Sequence, residues 1–183
     1  RANGYCDNLL ISDDMSFRAP HAFTAKKATY NRTFSNVAGK AVSTLYLPYP
    51  TDLPTGMQAY TLTQKGIDEN GDKAFLFQFK GVDASGDKAF CFVAVPLGTR
   101  LAANKPYLVR ITDGQNHTLP VMQNVQVPVT PDIETSALAA SSDSDWKFYG
   151  TTEFMGNTAA YAKKAYYLNG NKWWAVQNGV TND

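Results

Sequence analysis

The constraint that dominates this sequence is a two-residue alternation of side chains. Residues 73–80 read KAFLFQFK, with Phe75, Phe77 and Phe79 on one side, and residues 89–95 read AFCFVAV. On a strand, successive side chains point to opposite faces, so each such segment offers one buried and one exposed face. A helical period of about 3.6 does not govern the chain. Further strands are predicted at 28–34, 42–47, 58–63, 106–112, 125–129, 146–149 and 172–176. Asn70-Gly71, Ser85-Gly86, Asp113-Gly114 and Asn169-Gly170 fall between strands. Asn and Gly tolerate the positive φ of tight hairpin turns. Many short strands broken by regular turns predict an all-β fold. The expectation is an antiparallel β-sandwich or barrel-like sheets with short hairpins and at most one short helix.

One turn-plus-strand unit occurs twice. Residues 68–77 are DENGDKAFLF and residues 83–92 are DASGDKAFCF. A solenoid needs about three stacked units, so the two copies predict neighbouring strands of one meander. The segment without β patterning follows Val129. Thr130-Pro131-Asp132 resembles a helix start, with Thr as N-cap and Pro in the first turn. ETSALAA then runs into SSDSD at 141–145; a short helix and a flexible linker fit equally. The expected organisation is a main β-domain at 1–130, a linker or short helix at 131–145, and a smaller β-part at 146–183. That last part is expected to pack on the first and to lack its final strand.

Composition narrows the function classes. Hydrophobic residues make up 44% of the 183 and charged residues 18%, enough to bury a core and too uncharged for a disordered chain. Seventeen basic and sixteen acidic side chains give a net charge of +1. They are spread evenly along the chain, so no basic face and no nucleic-acid partner is predicted. The longest apolar run, Ala89–Leu97, has nine residues, against about 20 for a membrane-spanning helix. The opening RANGYCDNLL has neither the basic start nor the apolar stretch of a signal peptide. Arg1 is therefore expected to follow a processed leader or a cut from a longer protein. Cys6 and Cys91 lie 85 positions apart. A disulfide there would contribute roughly 4 kcal/mol on the chain-entropy account. Two separate buried thiols are the alternative, because Cys91 sits in an apolar strand pattern.

Catalytic signatures are sparse. There is no G-x-S-x-G elbow, and the two histidines, His21 in APHAF and His117 in GQNHTLP, sit in loop-like contexts. Either could act as a base, but no spacing ties one to a nucleophile, and a loop histidine is the plainer reading. Paired carboxylates for a glycosidase compete with turn chemistry, because Asp68, Asp72, Asp83 and Asp87 occupy turn positions. Asp68, Asn70 and Asp72 fit D-x-N-x-D of a calcium loop. Lys73 and Phe79 stand where that loop needs Gly and Glu. No phosphate-cradling loop occurs. No metal site, catalytic residue or cofactor is predicted.

The aromatic residues, 13% of the chain, fall into two sets. The Phe-rich strands account for a core. Residues 166–174, YYLNGNKWW, read as a hairpin with Asn169-Gly170-Asn171 at its tip. In each doublet one ring should point inward and the other outward. Tyr166 or Tyr167, and Trp173 or Trp174, with Trp146 nearby, are therefore candidate ligand-binding residues that could stack on sugar rings or enter a partner's pocket. Cross-strand pairing that merely stabilises the hairpin is the competing reading.

Several segments recur in a familiar order: YCDNLLISDDMSFRAPHAFTAKKATYNRTF, STLYLPYP, PTGMQAYTL and LAANKPYLVRI, then DWKFYGTTEF and AYYLNGNKWWAV. They resemble a recurrent module of secreted and surface-exposed Bacteroidetes proteins, often found beside leucine-rich repeats. The resemblance covers most of the chain. It implies a β-rich, extracellular or outer-surface domain without a catalytic centre, of a kind described as adhesion proteins or left uncharacterised. It supplies no catalytic residue. The chain departs from the module after Val180, where one more strand would be expected.

The expected function is thus a non-catalytic surface β-domain for adhesion or ligand binding. Its partners would be a host or cell-surface protein or glycan and the neighbouring domains of a longer chain. The rivals are a structural spacer, an accessory carbohydrate-binding module of a secreted hydrolase, and a hydrolase using His21 or His117.

Overall fold

The computed structural model describes residues 4–37, 42–62, 78–80, 89–133, 138–139, 147–153, 155–169 and 172–177. Among them the strands are β1 (Gly4–Ile11), β2 (Phe23–Tyr30), β3 (Thr33–Phe34), β4 (Val42–Leu45), β5 (Met57–Leu62), β6 (Gln78–Lys80), β7 (Ala89–Ala94) and β8 (Tyr107–Ile111). They continue with β9 (His117–Thr118), β10 (Met122–Val127), β11 (Leu138–Ala139) and β12 (Lys147–Phe148). A short helix, α1 (Asn157–Ala162), precedes β13 (Tyr166–Asn169) and β14 (Lys172–Ala175). The fold is all-β, with six helical residues among those described.

Two sheets form the body. One has the order β1-β2-β10, the other β4-β8-β5-β7-β6. Every pair in the larger sheet is antiparallel. In the smaller sheet β10 is antiparallel to β2, but β1 and β2 are parallel, with Gly4 opposite Phe23 and Ile11 opposite Tyr30. A tight hairpin cannot join parallel strands, so residues 12–22 form a crossover. The predicted strand at 28–34 is interrupted. Asn31 donates to the carbonyl of Ile11 at 2.7 Å, and the chain leaves the sheet to pair β3 with β9.

The main core lies between the two sheets. Leu9, Ala25, Ala28, Tyr30, Val125 and Val127 from the smaller sheet meet Leu45, Met57, Ala59, Tyr107, Val109 and Ile111 from the larger. The smaller sheet breaks simple alternation. Each strand turns two successive residues outward, Asp7-Asn8, Lys26-Lys27 and Gln123-Asn124, between inward-facing residues. The pairing keeps these in line: Cys6 lies beside Ala25, Ala25 beside Val125, Leu9 beside Ala28 and Ala28 beside Met122. Asn124 takes φ +49° at the turnover, a backbone that Asn tolerates better than most residues. Lys26 and Asp7 pair at 2.6 Å on the outward row.

The larger sheet is covered on both faces, not on one as strand alternation suggests. Its other face carries a second cluster of Val42, Tyr60, Leu62, Phe92 and Leu108, against which Phe148, Leu168 and Trp173 pack. The β13–β14 hairpin therefore forms a third layer. Phe148 stands edge-on to both Phe92, at 5.4 Å, and Trp173, at 6.3 Å between ring centroids. Such pairs contribute about 0.5–1.5 kcal/mol beyond area burial.

The helix lies at Asn157–Ala162, inside the segment read as the smaller β-part. Thr130 is followed at 131–133 by non-helical residues. It is buried, and its hydroxyl and amide both bond Ala19, at 2.8 and 2.9 Å. Leu138–Ala139 pairs with Lys147–Phe148 as a small sheet. Cys6 carries a free, half-buried thiol against the main core. Cys91 lies in the other sheet, opposite Gln78. The first copy of the repeat, the calcium-like Asp68-Asn70-Asp72 and Trp146 lie outside the described residues. The second copy supplies β7, whose neighbour β6 follows directly on the first.

Candidate functional site

A groove of about 830 Å³ runs between the edge of the larger sheet and the C-terminal layer. Pockets that hold small ligands span roughly 300–1,000 Å³, so this one is at the generous end. Eight of its 21 lining residues are aromatic, against 13% for the chain. Ring enrichment of this order marks a surface suited to flat, partly apolar ligand faces.

One wall is built from the end of β4 and the residue after it. Leu45 turns into the core and Tyr46 lines the groove. Gly150 approaches the Tyr46 ring so closely that a β-carbon there would lie 2.3–2.6 Å from its atoms. The absence of a side chain at 150 therefore lets Tyr46 pack closely against the opposite wall. That wall, residues 147–153, is tied to the crossover of the smaller sheet. Phe17 donates its amide to Thr152 at 2.7 Å, Thr152 returns its hydroxyl to Phe17 at 2.9 Å, and Arg18 bonds Glu153 at 2.7 Å.

One end of the groove is a polar knot. The Tyr30 hydroxyl donates to Asp13. The Arg32 guanidinium lies 3.4 Å from Asp13, donates to the Thr44 carbonyl at 3.2 Å and sits 4.6 Å over the Phe34 ring. Burial is the main reason the Tyr30 phenol is pushed up to about 12. It therefore stays a donor throughout the neutral range.

Three lysines also line the groove. Lys163 and Lys164 come directly after α1, and Lys147 lies on β12. The amide of Ala165 bonds the Ala160 carbonyl at 2.9 Å and Lys164 takes φ +52°. This is the helix-ending turn in which the left-handed residue is usually glycine.

The hairpin separates the tryptophan doublet by face, whereas both tyrosines of the other doublet line the groove. Leu168 is opposite Trp173, and Tyr167 is opposite Trp174. Tyr166, Tyr167 and Trp173 line the groove. Trp174 is 51% exposed, and its indole donates to the Asn169 carbonyl at 3.1 Å across the hairpin. The two histidines lie elsewhere. His21 is in an exposed loop. His117 pairs with Asp113 at 2.9 Å beyond the far end of β8; its partnership holds the Asp113 carboxyl below the usual range.

Sequence reasoning did not find Arg32, Tyr46, Lys147, Tyr149, Lys163 or Lys164. No spacing links them, since they belong to four segments that converge only when the third layer docks. The one local signal was Lys163-Lys164 directly after an alanine-rich run. No family model, curated protein or solved structure matches the chain significantly.

Proposed function

We propose that this chain is a non-catalytic, surface-exposed binding module whose ligand, a glycan, occupies the aromatic groove. The observation that carries the reading is the ring-lined cleft itself, with Tyr46, Tyr149, Tyr166 and Trp173 around one space. Sugars present alternating C–H faces and hydroxyl edges. Aromatic faces accept the first, and phenol hydroxyls serve the second. The resemblance to Bacteroidetes surface modules supports an extracellular role in adhesion, or as an accessory module of a secreted hydrolase.

The test is titration of the whole chain with a panel of soluble oligosaccharides, read by tryptophan fluorescence because Trp173 lines the cleft. Tyr166→Ala is expected to reduce affinity by about 1–2 kcal/mol, the scale of one lost ring contact. Trp174→Ala, outside the cleft, is expected to leave it unchanged. Binding that survives Tyr166→Ala and Tyr149→Ala together places the ligand elsewhere. A spacer role is favoured by one observation, the use of Phe148, Leu168 and Trp173 to fasten the hairpin to the sheet. It predicts no glycan binding at all.

A further inference from the structure

We infer that the glycan carries a terminal 6-deoxyhexose, a sugar with a methyl group where a hexose has a hydroxymethyl, and that a side pocket beside the groove receives that methyl; this rests on the groove being a glycan site. The side pocket holds about 310 Å³, at the small end of ligand sites, where a single sugar unit fits. It shares six of its nine lining residues with the groove, Tyr149 and Tyr166 among them, so the two spaces adjoin. The three that line it alone, Met155, Ala160 and Val176, are all apolar. Ala160 is buried, and Met155 and Val176 are half-buried. They come from separate places: the approach to α1, the helix itself and the residue after β14. The apolar lining is thus assembled by the fold and is not the face of one element.

Polar atoms around the pocket are already bonded within the chain. The Ala165 amide donates to the Ala160 carbonyl at 2.9 Å, and the Val176 amide donates to the Ala165 carbonyl at 3.0 Å. The Thr151 hydroxyl accepts from the Glu153 amide at 2.9 Å and donates to the Glu153 carbonyl at 3.2 Å. A hydroxyl brought here would leave water without gaining these groups as partners, whereas a methyl gains by leaving water. An acetamido group would bring a carbonyl and an amide N–H to the same place and meet the same cost. The pocket therefore distinguishes a methyl from a hydroxymethyl. Because Tyr149 and Tyr166 line both spaces, a sugar held against these rings in the groove presents one edge to the pocket.

The experiment is calorimetric titration of the whole chain with two pairs of disaccharides. One pair is L-fucosyl-galactose and L-galactosyl-galactose; the other is L-rhamnosyl-galactose and L-mannosyl-galactose. Within each pair the sugars differ only by the hydroxyl at C6. N-acetylglucosaminyl-galactose is the fifth ligand. In at least one pair the 6-deoxy sugar is expected to bind about tenfold tighter than its counterpart, the scale of one buried hydroxyl left without a partner. Val176→Thr keeps the volume and adds a hydroxyl to the pocket. It should cut that preference to about threefold or less without weakening the counterpart. Met155→Gln adds polarity from the other side and should act alike, which keeps the test valid if the threonine variant unfolds. Equal affinities within both pairs, or no binding of these sugars by a chain that binds other oligosaccharides, overturn the methyl reading and leave the glycan site standing. Tighter binding of the N-acetyl sugar than of either 6-deoxy sugar also overturns it. A preference undiminished in both variants removes the role given to the side pocket. No binding of any soluble oligosaccharide overturns both readings.

Discussion

A β-carbon on Gly150 would lie 2.3 Å from the Tyr46 ring and 2.6 Å from the Tyr46 Cβ, close to the tyrosine's own backbone. Gly150→Ala is therefore expected to destabilise the chain by about 1–3 kcal/mol, the scale of overpacking. The urea midpoint should fall without a change in slope, and an unchanged midpoint would show that the two walls move apart freely. Gly56 tests another relation. At φ +91° its β-carbon would fall 2.0 Å from the Asp113 carboxylate and 2.9 Å from the His117 ring. Gly56→Ala should cost about 2 kcal/mol through backbone strain and break the Asp113–His117 pair. The imidazole resonances of His117 would then shift, and an unaltered histidine spectrum would contradict the geometry. Tyr30 gives a pH effect of known sign. Its phenol ionises near 10.0 when unfolded and near about 12 when folded. Its contribution to stability is therefore whole below pH 10 and is lost as pH rises toward 12. Tyr30→Phe should flatten the alkaline end of the stability profile, measured by denaturation at stepped pH.

The β13–β14 hairpin holds to the larger sheet through Leu168 and Trp173, a cluster separate from the main core. Leu168→Ala should cost on the order of 1–2 kcal/mol, less than at a fully buried leucine. Amide exchange should speed up in β13 and β14 and stay slow in β5 and β8. Equal loss of protection in both regions would mean that the layers open as one unit. The strands of the larger sheet were legible in the sequence because β-branched and aromatic residues alternate there. Residues 42–47, 58–63 and 106–112 overlap β4, β5 and β8 closely. What alternation could not convey was the second buried face. Tyr60, Leu62 and Phe92 read as strand residues either way, and only the docked hairpin decides that their side is covered. In the smaller sheet the paired outward residues erase the period, so β1 and the first half of β2 gave no strand signal. Thr130-Pro131-Asp132 has the right residues for a helix start, yet Thr130 is drawn to Ala19 by two hydrogen bonds, and the short helix at Asn157–Ala162 lies in a segment read as β.

At the scale of the whole molecule, one sheet is shared between two cores. Val109 faces the sandwich, and Leu108 faces the third layer. Wild-type unfolding should therefore look the same by tryptophan fluorescence and by far-ultraviolet circular dichroism. In Leu168→Ala the fluorescence transition should come first, because Trp173 reports the outer layer. Curves that separate in the wild type would show that the third layer is a dispensable attachment. The candidate site belongs to this scale too. Tyr166, Tyr167 and Trp173 could be picked from sequence as a local doublet pattern, but the cleft they line exists only where three layers meet. The smaller sheet carries a last consequence. Its three strands turn over at one line, so none of them can change length by itself. Losing Lys27 alone would put half of β2 on the wrong face relative to both neighbours. Along that line the gene can drift by exchanging codons, but a single codon gained or lost would have to be matched twice over.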